Sequence, residues 1–418
     1  MSDIRPTATG PPAVPPGGLA TLLRAAGACA GAAPAVVMRL TGTEPGPVAG
    51  IVVFGLGVLS AAVLLMWAAE TARVDISGPL ALALLAFIAV LPEYAVDLYF
   101  AYTAGSRPEY TAYAAANMTG ANRLLVGVGW PLVALAAWFA ARRRRVPPGI
   151  GLRAHRLIDV AFLGAAALVA FVMPLTREIS WLLAVVLIAW YAYYLFRISR
   201  CGETDEEELI GVPARLALLP GGARKTVTVL VFAVAAGVVF SCAEPFATSL
   251  VEAGASLGID RFLLVQWLAP LASEAPELIV AVVFAWRLRG DDGLGALLSS
   301  KVNQWTLLVG CLPLAYLAGG GGAALPLVER QVDEVFLTAA QTVLAVVLLL
   351  DLRFLPWKAA LLFVLFGVQF ALPGENARLV LSWVYLGLSL LLVLPATRRR
   401  ALLPAARALT GRIEGDPH

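Results

Sequence analysis

The stretch "APLASEAPELIV", residues 269–280, lies inside a long apolar run and contains two carboxylates and two prolines. Glu274 and Glu277 are three residues apart, and Pro276 stands between them. An acidic side chain inside a lipid bilayer is energetically costly, and it marks a functional site by default. Proline removes one backbone donor and is predicted to kink or break a helix here. The stretch therefore indicates a functional site within a membrane-spanning segment.

The composition is that of a polytopic helical membrane protein. The chain has 418 residues, of which 60% are hydrophobic and only 14% are charged, and its mean hydropathy is +0.82. Runs of about 20 apolar residues, each long enough to span a bilayer, recur along the whole length. A soluble protein with many core helices would need charged helix faces that this chain lacks.

Histidine and cysteine are too few and too scattered for the common metal centres. His155 lies in a basic loop and His418 is the last residue, so histidine-based catalysis and metal ligation are not expected. Four cysteines show neither paired nor metal-type spacing, which predicts no disulfide framework and no zinc site. They are Cys29, Cys201, Cys242 and Cys311.

The apolar runs and the polar residues that separate them predict about twelve membrane spans. The first contains Arg24 and could instead be an interfacial helix. With this span count, about 22 basic residues fall on one side of the membrane and about 6 on the other. Both termini are therefore predicted to be cytoplasmic. The predicted spans are 19–40, 48–72, 77–104, 111–140, 157–175, 179–197, 226–251, 260–287, 293–318, 332–350, 355–373 and 376–396.

The chain contains an internal repeat. The Pro-Glu pairs of "LPEYAVDLYFAY" (91–102) and "APELIVAVVFAW" (275–286) can be aligned with each other. Downstream of these pairs, Asn122 matches Asn303. Each repeat contains five predicted spans, and this odd number makes the second repeat enter the membrane from the opposite side. Inverted repeats are a hallmark of secondary transporters, whose substrate site lies at the midplane between the repeats.

The predicted fold is therefore all-α, with two inverted-topology five-helix repeats plus flanking helices. The linker contains "ETDEEE" (203–208), which is interpreted as a solvated acidic loop. The predicted segments are a disordered N-terminus (1–18), an extra N-terminal helix (19–47), repeat one (48–197), a cytoplasmic linker (198–225), repeat two (226–373), and an extra C-terminal helix with a basic tail (374–418).

The two Pro-Glu pairs are the predicted centre of a cation site. Glu93 and Glu277 each follow a proline that would free a backbone carbonyl, and a carboxylate beside freed carbonyls is an oxygen-rich cation cage. The structural alternative is a proline kink whose glutamate hydrogen-bonds to a neighbouring helix. Further oxygen-bearing candidates on the same helix faces or on the following spans are Asp97, Ser273, Glu274, Asn122, Asn303 and Gln304, with Asn117 nearer a helix start.

Other charged residues lie within the predicted spans. Glu244, in "SCAEPF" (241–246), is interpreted either as a gate or as a structural partner. Arg123 and Lys301 lie next to the matched asparagines or two residues before them. They either neutralise surplus acids, or one of them serves as a substitute cation. Five acids and two bases leave a charge of about −3, which suits a divalent cation, a few monovalent ions or several protons.

These residues resemble the cation/calcium exchanger superfamily, the sodium/calcium exchanger membrane-region proteins, of which the chain looks like a divergent member. Residues 250–281, "LVEAGASLGIDRFLLVQWLAPLASEAPELIVA", are similar to that family's run from a small-residue helix through "LGIS" to "GTSLPEL". The resemblance implies that Glu93 and Glu277 coordinate the transported ion as its metal ligands. It also implies that the cargo is Ca²⁺, Na⁺ or H⁺, that no cofactor is needed, and that the protein is a multi-pass protein of the plasma (inner) membrane.

The chain departs from the family's pattern at several ligand positions. The Thr-Ser pair that precedes the family's Pro-Glu is absent at 89–90 and becomes Ser273-Glu274 in repeat two. The family's "GSNxxN" or "GSNxxD" becomes "GANRLL" (120–125) and "SSKVNQ" (299–304), with leucine and glutamine in the last place. Neutral ligands are lost and charged groups are gained, which favours proton coupling.

The favoured function is a secondary active antiporter that exchanges Ca²⁺ or Na⁺ against Na⁺ or H⁺ by alternating access at a midplane carboxylate site. The alternatives are a proton-coupled antiporter for sodium or another monovalent cation, and a cation-binding membrane protein that does not transport. A further alternative is a membrane-embedded hydrolase. The "GASLG" motif (254–258) fits the G-x-S-x-G pattern but lacks the strand–turn–helix context and a histidine, so only the cluster of glutamates and aspartates motivates a carboxylate-based hydrolase. The expected partners are the lipid bilayer and the transported cations, with no nucleic acid.

Overall fold

The structure is a computed structural model that describes residues 18–72, 74–75, 90–200, 209, 211–371, 374–394 and 396–410. The side chains at 20, 375 and 396–401 are not described. Four sequence predictions lie wholly or largely outside the described residues: the N-terminal segment 1–17, the upstream half of the third span (77–89), the acidic loop (203–208) and the end of the basic tail (411–418).

The N-terminal half of the described chain is helical, with two short strands in its loops. Its elements are α1 Gly18–Thr41, α2 Pro47–Ala72, α3 Leu91–Ala104, α4 Tyr110–Leu124, a π-helical segment π1 Leu125–Gly129, α5 Trp130–Arg144, β1 Ile150–Gly151, α6 Arg156–Val169, α7 Val172–Thr176, β2 Glu178–Ser180 and α8 Trp181–Ser199.

The C-terminal half repeats this pattern. Its elements are α9 Val212–Leu216, α10 Gly221–Leu257, α11 Arg261–Trp286, α12 Gly290–Asn303, a second π-helical segment π2 Gln304–Leu308, α13 Val309–Ala318, β3 Ala324–Pro326, α14 Glu329–Leu349, β4 Arg353–Phe354, α15 Pro356–Ala371, α16 Glu375–Val393 and α17 Ala396–Thr410.

Nine helices within the described ranges are long and apolar enough to cross a membrane. Three of the predicted spans are not among them: 77–104, 293–318, and 355–373, where α15 has 16 residues. The outer faces of these helices expose large apolar side chains, such as Leu22 and Leu390, that suit contact with lipid. The chain is therefore a multi-pass integral membrane protein of the all-α class.

Two short β-ribbons join the repeats and display their inverted relation. Strand β1 pairs antiparallel with β4, and β2 pairs antiparallel with β3. Strands β1 and β3 each follow the helix that continues from an asparagine-bearing helix, namely α5 and α13. Strands β2 and β4 each follow the next membrane-spanning segment, at 156–176 and 329–349. Exchanging the repeats therefore converts one ribbon into the other. Because β1 and β2 are separated by the helical segment 156–176, the ribbons lie at opposite ends of the bundle.

The two Pro-Glu pairs occupy different positions in their helices. Helix α3 begins at Leu91, so Pro92 stands in its first turn, where the missing N–H has no partner inside the helix. Helix α11 continues without interruption through Pro270 and Pro276. Of the two outcomes predicted at Pro276, the break is therefore wrong, and the kink stays a prediction. What remains is the loss of single backbone hydrogen bonds, because proline cannot donate to the carbonyl four residues before it.

Both asparagine-bearing helices pass into a π-helical segment close to the matched asparagines. Segment π1 follows Asn122 by three residues, and π2 begins directly after Asn303. A π segment inserts one extra residue into a helical turn and is frequent at functional sites. The hydrogen-bonding pattern changes there, and the Gln341 side chain donates to the Arg123 carbonyl at 3.4 Å. Nothing in the amino-acid periodicity predicts these segments.

A close helix contact positions α4 against α11. A Cβ atom added to Gly120 would lie only 1.7 Å from the carbonyl oxygen of Gln266, so only glycine fits at this crossing. That carbonyl is one of the two that the prolines of α11 leave without their usual helical donor. The contact brings Asn122, two residues further along α4, beside the helix that carries the acidic stretch.

Candidate functional site

Four carboxylates converge between the repeats. Glu93 and Glu274 are each 3% exposed, Asp97 is fully buried, and Glu277 is half-buried. Glu274 and Glu277 lie on one face of α11 near the middle of its 26 residues, because positions three apart share a helix face. Glu93 lies close enough to the other three carboxylates for their charges to interact. The structure thus brings all four acids together, as the sequence predicted for the Pro-Glu pairs and their neighbours.

Gln304 connects the acids of the two repeats. Its Nε2 atom donates to Glu93 Oε2 at 3.1 Å and to Glu274 Oε1 at 2.7 Å. Gln304 is the first residue of π2 and is fully buried. One neutral amide therefore ties a carboxylate from repeat one to a carboxylate from repeat two.

Asp97 has an amide neighbour of its own. Asn117 Nδ2 donates to Asp97 Oδ1 at 2.9 Å, and both side chains are fully buried. The sequence ranked Asn117 below the other amides because it lies nearer a helix start. The structure places it beside the acids, whereas the more obvious amides Asn122 and Asn303 serve other groups.

The cluster contains several buried oxygens that lack a donor. One oxygen on each of Glu93, Asp97 and Glu274, together with the amide oxygens of Asn117 and Gln304, has no hydrogen-bond partner among the described residues. Every one of these atoms is an acceptor unless a carboxyl group is protonated. A buried acceptor without a donor is costly, and a cation or bound protons would satisfy it.

The acids do not form a ready-made chelate in this conformation. Within the described ranges, no three histidine, cysteine, aspartate or glutamate side chains are close enough together to hold a metal ion. A cation bound here would need the amide oxygens as well as the carboxylates. Such a loose arrangement suits a cargo that must be released again.

Asn303 and Ser273 point to partners outside the four acids. Asn303 accepts from the Tyr94 hydroxyl at 2.6 Å and donates to the Tyr191 hydroxyl at 3.2 Å. The Ser273 hydroxyl donates back to its own helix, to the carbonyl of Ala269 at 3.3 Å. Their roles as cation ligands stay predictions.

Lys301 and Asn122 form a separate buried pair. The Lys301 ammonium donates to the backbone oxygen of Asn122 at 2.9 Å and to its side-chain oxygen at 2.7 Å. It also lies 5.0 Å from the centre of the Trp305 ring. Lys301 interacts electrostatically with Glu274 and Glu93, so the pair borders the acidic cluster.

Arg123 pairs with an acid that is not among the predicted site residues. Its guanidinium is ion-paired with Glu334, donates to Gln369 Oε1 at 3.0 Å and lies 5.1 Å from the Trp267 ring centre. Arg378 contacts the same carboxylate at 2.8 Å. Glu334 lies near the start of a predicted span, where acids are common, so only its burial reveals the network.

Glu244 lies apart from the cluster. Its side chain is 60% exposed, and its carboxylate is 3.7 Å from Arg39 of α1. This position is that of a peripheral partner, and its proposed role as a gate stays a prediction. The "GASLG" motif likewise forms the end of α10 and includes no strand-to-helix elbow.

Comparisons with known proteins identify the chain's family. A family model described as sodium/calcium exchanger protein matches residues 46–199 and 227–373. A crystal structure of the H⁺/Ca²⁺ exchanger CAX is 40% identical, with a TM-score of 0.88, and the match covers 93% of this chain and 98% of that one. No curated protein matches the chain.

Two more distant structures share the fold. Native YfkE is 14% identical with a TM-score of 0.61, covering 88% of this chain and 99% of its own. The sodium-calcium exchanger NCX_Mj is 16% identical with a TM-score of 0.51, covering 78% and 98%. Together with the family match, the paired repeats and the buried acids place the chain among secondary transporters and not among enzymes. The chain belongs to the sodium/calcium exchanger protein family.

Proposed function

We propose that this protein exchanges Ca²⁺ for H⁺ across the membrane by alternating access at the carboxylate cluster. The observation that carries the proposal is a set of five buried acceptor oxygens, on three acids and two amides, that have no donor in the part of the chain that the structure describes. The 40% identity to an H⁺/Ca²⁺ exchanger supports the same pair of ions.

The ligand chemistry favours Ca²⁺ as the cargo. Ca²⁺ takes six to eight oxygen ligands, from carboxylates, amide and backbone carbonyls, and water. The cluster offers the carboxylates of Glu93 and Glu274, the amide oxygen of Gln304, and the half-buried Glu277. Pro276 leaves the backbone carbonyl four residues before it without its helical donor, which adds one neutral oxygen nearby.

The charge balance explains the coupling to protons. Four crowded carboxylates repel one another, and Lys301 offsets only part of their charge. A bound Ca²⁺ relieves the repulsion, and protons relieve it equally well when Ca²⁺ is absent. The same carboxylates therefore bind either Ca²⁺ or protons but not both, which is the requirement for exchange.

In the proposed mechanism, the site lies between the two repeats, which move relative to each other. Glu93 belongs to repeat one, whereas Glu274, Glu277 and Gln304 belong to repeat two. In transporters built from inverted repeats, one repeat or bundle rocks against the other around a fixed site. Ligands supplied by both repeats would hold the cargo in the closed state and release it when the repeats separate.

Flux measurements in proteoliposomes test the proposal. We expect uptake of Ca²⁺ into the vesicles to be driven by an outward proton gradient, with alkalinisation of the lumen reported by a trapped pH-sensitive dye. The Glu93→Gln/Glu277→Gln double variant should reduce flux to the level of empty liposomes, and Glu244→Gln, which changes an exposed glutamate, should not. Unchanged flux in the double variant would contradict the proposal. Ca²⁺ binding without flux would favour a non-transporting protein, and flux that needs a Na⁺ gradient would replace H⁺ by Na⁺.

The orientation in the membrane is part of the same proposal. The excess of basic residues on one side places both termini in the cytoplasm by the positive-inside rule. Single cysteines introduced in the 145–149 loop and in the 319–323 loop, in a cysteine-free background, would be labelled from opposite sides by an impermeant reagent. Labelling of both from one side would overturn the topology.

A further inference from the structure

The Lys301 ammonium occupies a site made of oxygen ligands. Both of its hydrogen bonds in the described part of the chain go to Asn122, one to the backbone oxygen and one to the side-chain oxygen. The side chain is fully buried, and the indole of Trp305 covers it from one helical turn away. Two neutral oxygens and an aromatic face form the kind of environment that binds a monovalent cation.

The equivalent place in repeat one carries no side chain. When Asn122 is matched to Asn303, Lys301 is matched to Gly120, where any Cβ atom would collide with the Gln266 carbonyl. The two asparagines consequently serve different groups: Asn303 contacts two tyrosines, and Asn122 contacts the lysine. The lysine therefore provides a fixed positive charge on one side of the pseudosymmetric site only.

The polar region between the repeats is divided into an occupied part and an open part. Both oxygens of Asn122 have a donor. By contrast, one oxygen on each of Glu93, Glu274 and Gln304 has no donor among the described residues. The ammonium is covalently attached to α12 and cannot leave with the cargo.

We propose that the Lys301 ammonium acts as a tethered cation, filling an oxygen site at Asn122 that would otherwise bind a monovalent ion such as Na⁺. This inference rests on the proposed cation exchange and concerns its stoichiometry. The lysine leaves the carboxylate cluster as the single site for a mobile cation. Its ammonium also supplies a positive charge beside Glu274, so that Na⁺ is not needed to balance the acids.

Replacing the lysine by a small residue should open the site to Na⁺. Lys301→Ala removes the charge and leaves room beside Asn122. Lys301→Met removes the charge but keeps the volume, and therefore serves as the matched control. We expect the melting temperature of purified Lys301→Ala protein to rise by about 2–4 °C when choline is replaced by Na⁺ at constant ionic strength. Wild-type protein and Lys301→Met should show no such Na⁺-specific rise.

This binding measurement is independent of Ca²⁺ flux. A failure of Ca²⁺/H⁺ exchange in the wild type would overturn the proposed function, whereas the absence of a Na⁺-specific shift in Lys301→Ala would overturn the tethered-cation role. An equal shift in wild-type protein would overturn it too. If Lys301→Ala does not yield folded protein, Lys301→Ser keeps a polar group beside Asn122 and provides the same measurement. Adding Asn122→Leu to either variant should abolish the shift.

Discussion

The two Pro-Glu pairs have the same sequence but different structural settings. Glu93 lies in the first turn of α3, where the positive end of the helix dipole favours an anion. Glu277 lies in the middle of an uninterrupted helix and has a second acid, Glu274, three residues before it. Repeat one thus provides a single glutamate at a helix start, and repeat two provides two glutamates along a helix face. A repeated motif in a duplicated protein does not guarantee that both copies have the same role.

The largest expected effect tests whether the two glutamates are interchangeable. Glu93→Gln should reduce Ca²⁺ flux to background, because repeat one has no second glutamate at this point. Glu277→Gln should weaken Ca²⁺ affinity by about 10–100-fold while flux persists, since Glu274 remains. Ca²⁺-dependent uptake rates in proteoliposomes measure both, with Glu244→Gln as the control. Equal losses in the two variants would show that the pairs are equivalent after all.

The bridge between the repeats is the next most sensitive point. Gln304→Leu removes the amide that contacts Glu93 and Glu274 and should lower Ca²⁺ affinity by about 10–100-fold, as expected for a residue that orients ligands. Gln369→Leu is the control, because Gln369 contacts Arg123 and not the acids. Isothermal titration of purified protein with Ca²⁺ compares the two. An unchanged affinity in Gln304→Leu would remove this glutamine from the site.

The asymmetry at the Gly120 and Lys301 positions predicts a stability effect. Gly120→Ala forces a Cβ atom against the Gln266 carbonyl and should destabilise the protein by about 1–3 kcal/mol. Gly367→Ala is the matched control, because nothing lies within 4 Å of the added atom, and it should gain about 0.5–1 kcal/mol from helix propensity. Thermal unfolding in detergent distinguishes them. Similar melting temperatures would mean that the α4–α11 contact can relax.

The prolines themselves should have the smallest effects. Pro276→Ala restores a backbone donor in the middle of α11 and should stabilise the protein by about 0.5–1.5 kcal/mol. Pro92→Ala should change stability by less than about 0.5 kcal/mol, since a first-turn N–H has no acceptor within the helix. The difference in melting temperature between the two variants is the readout. If Pro92→Ala changes the melting temperature more than Pro276→Ala does, the proline at the start of α3 contributes to stability in some way other than through backbone hydrogen bonds.

Much of the site was predictable because it depends on local spacing and on the repeat. Burial of the acids followed from their apolar surroundings, and Gln304 was a candidate because it stands where the resembled family keeps a ligand. The Arg123–Glu334 pair was not predictable, since its partners lie about two hundred residues apart and meet only through helix packing. A kink or a break was predicted at Pro276, and the helix is not broken there, because a packed helix tolerates the loss of one backbone hydrogen bond.

The sequence by itself determined the membrane class, the all-α character and the inverted repeat, because hydropathy and the parity of spans act along the chain. It also singled out the glutamates that are predicted to be functional, because charges are rare in hydrocarbon. Only the tertiary structure decided which amide bridges the acids, which asparagine holds the lysine and where the arginine finds its counter-ion. Those pairings depend on how helices from distant parts of the chain pack against one another. At Gly120 the approach of two helices is so close that even one added carbon atom would collide with the Gln266 carbonyl.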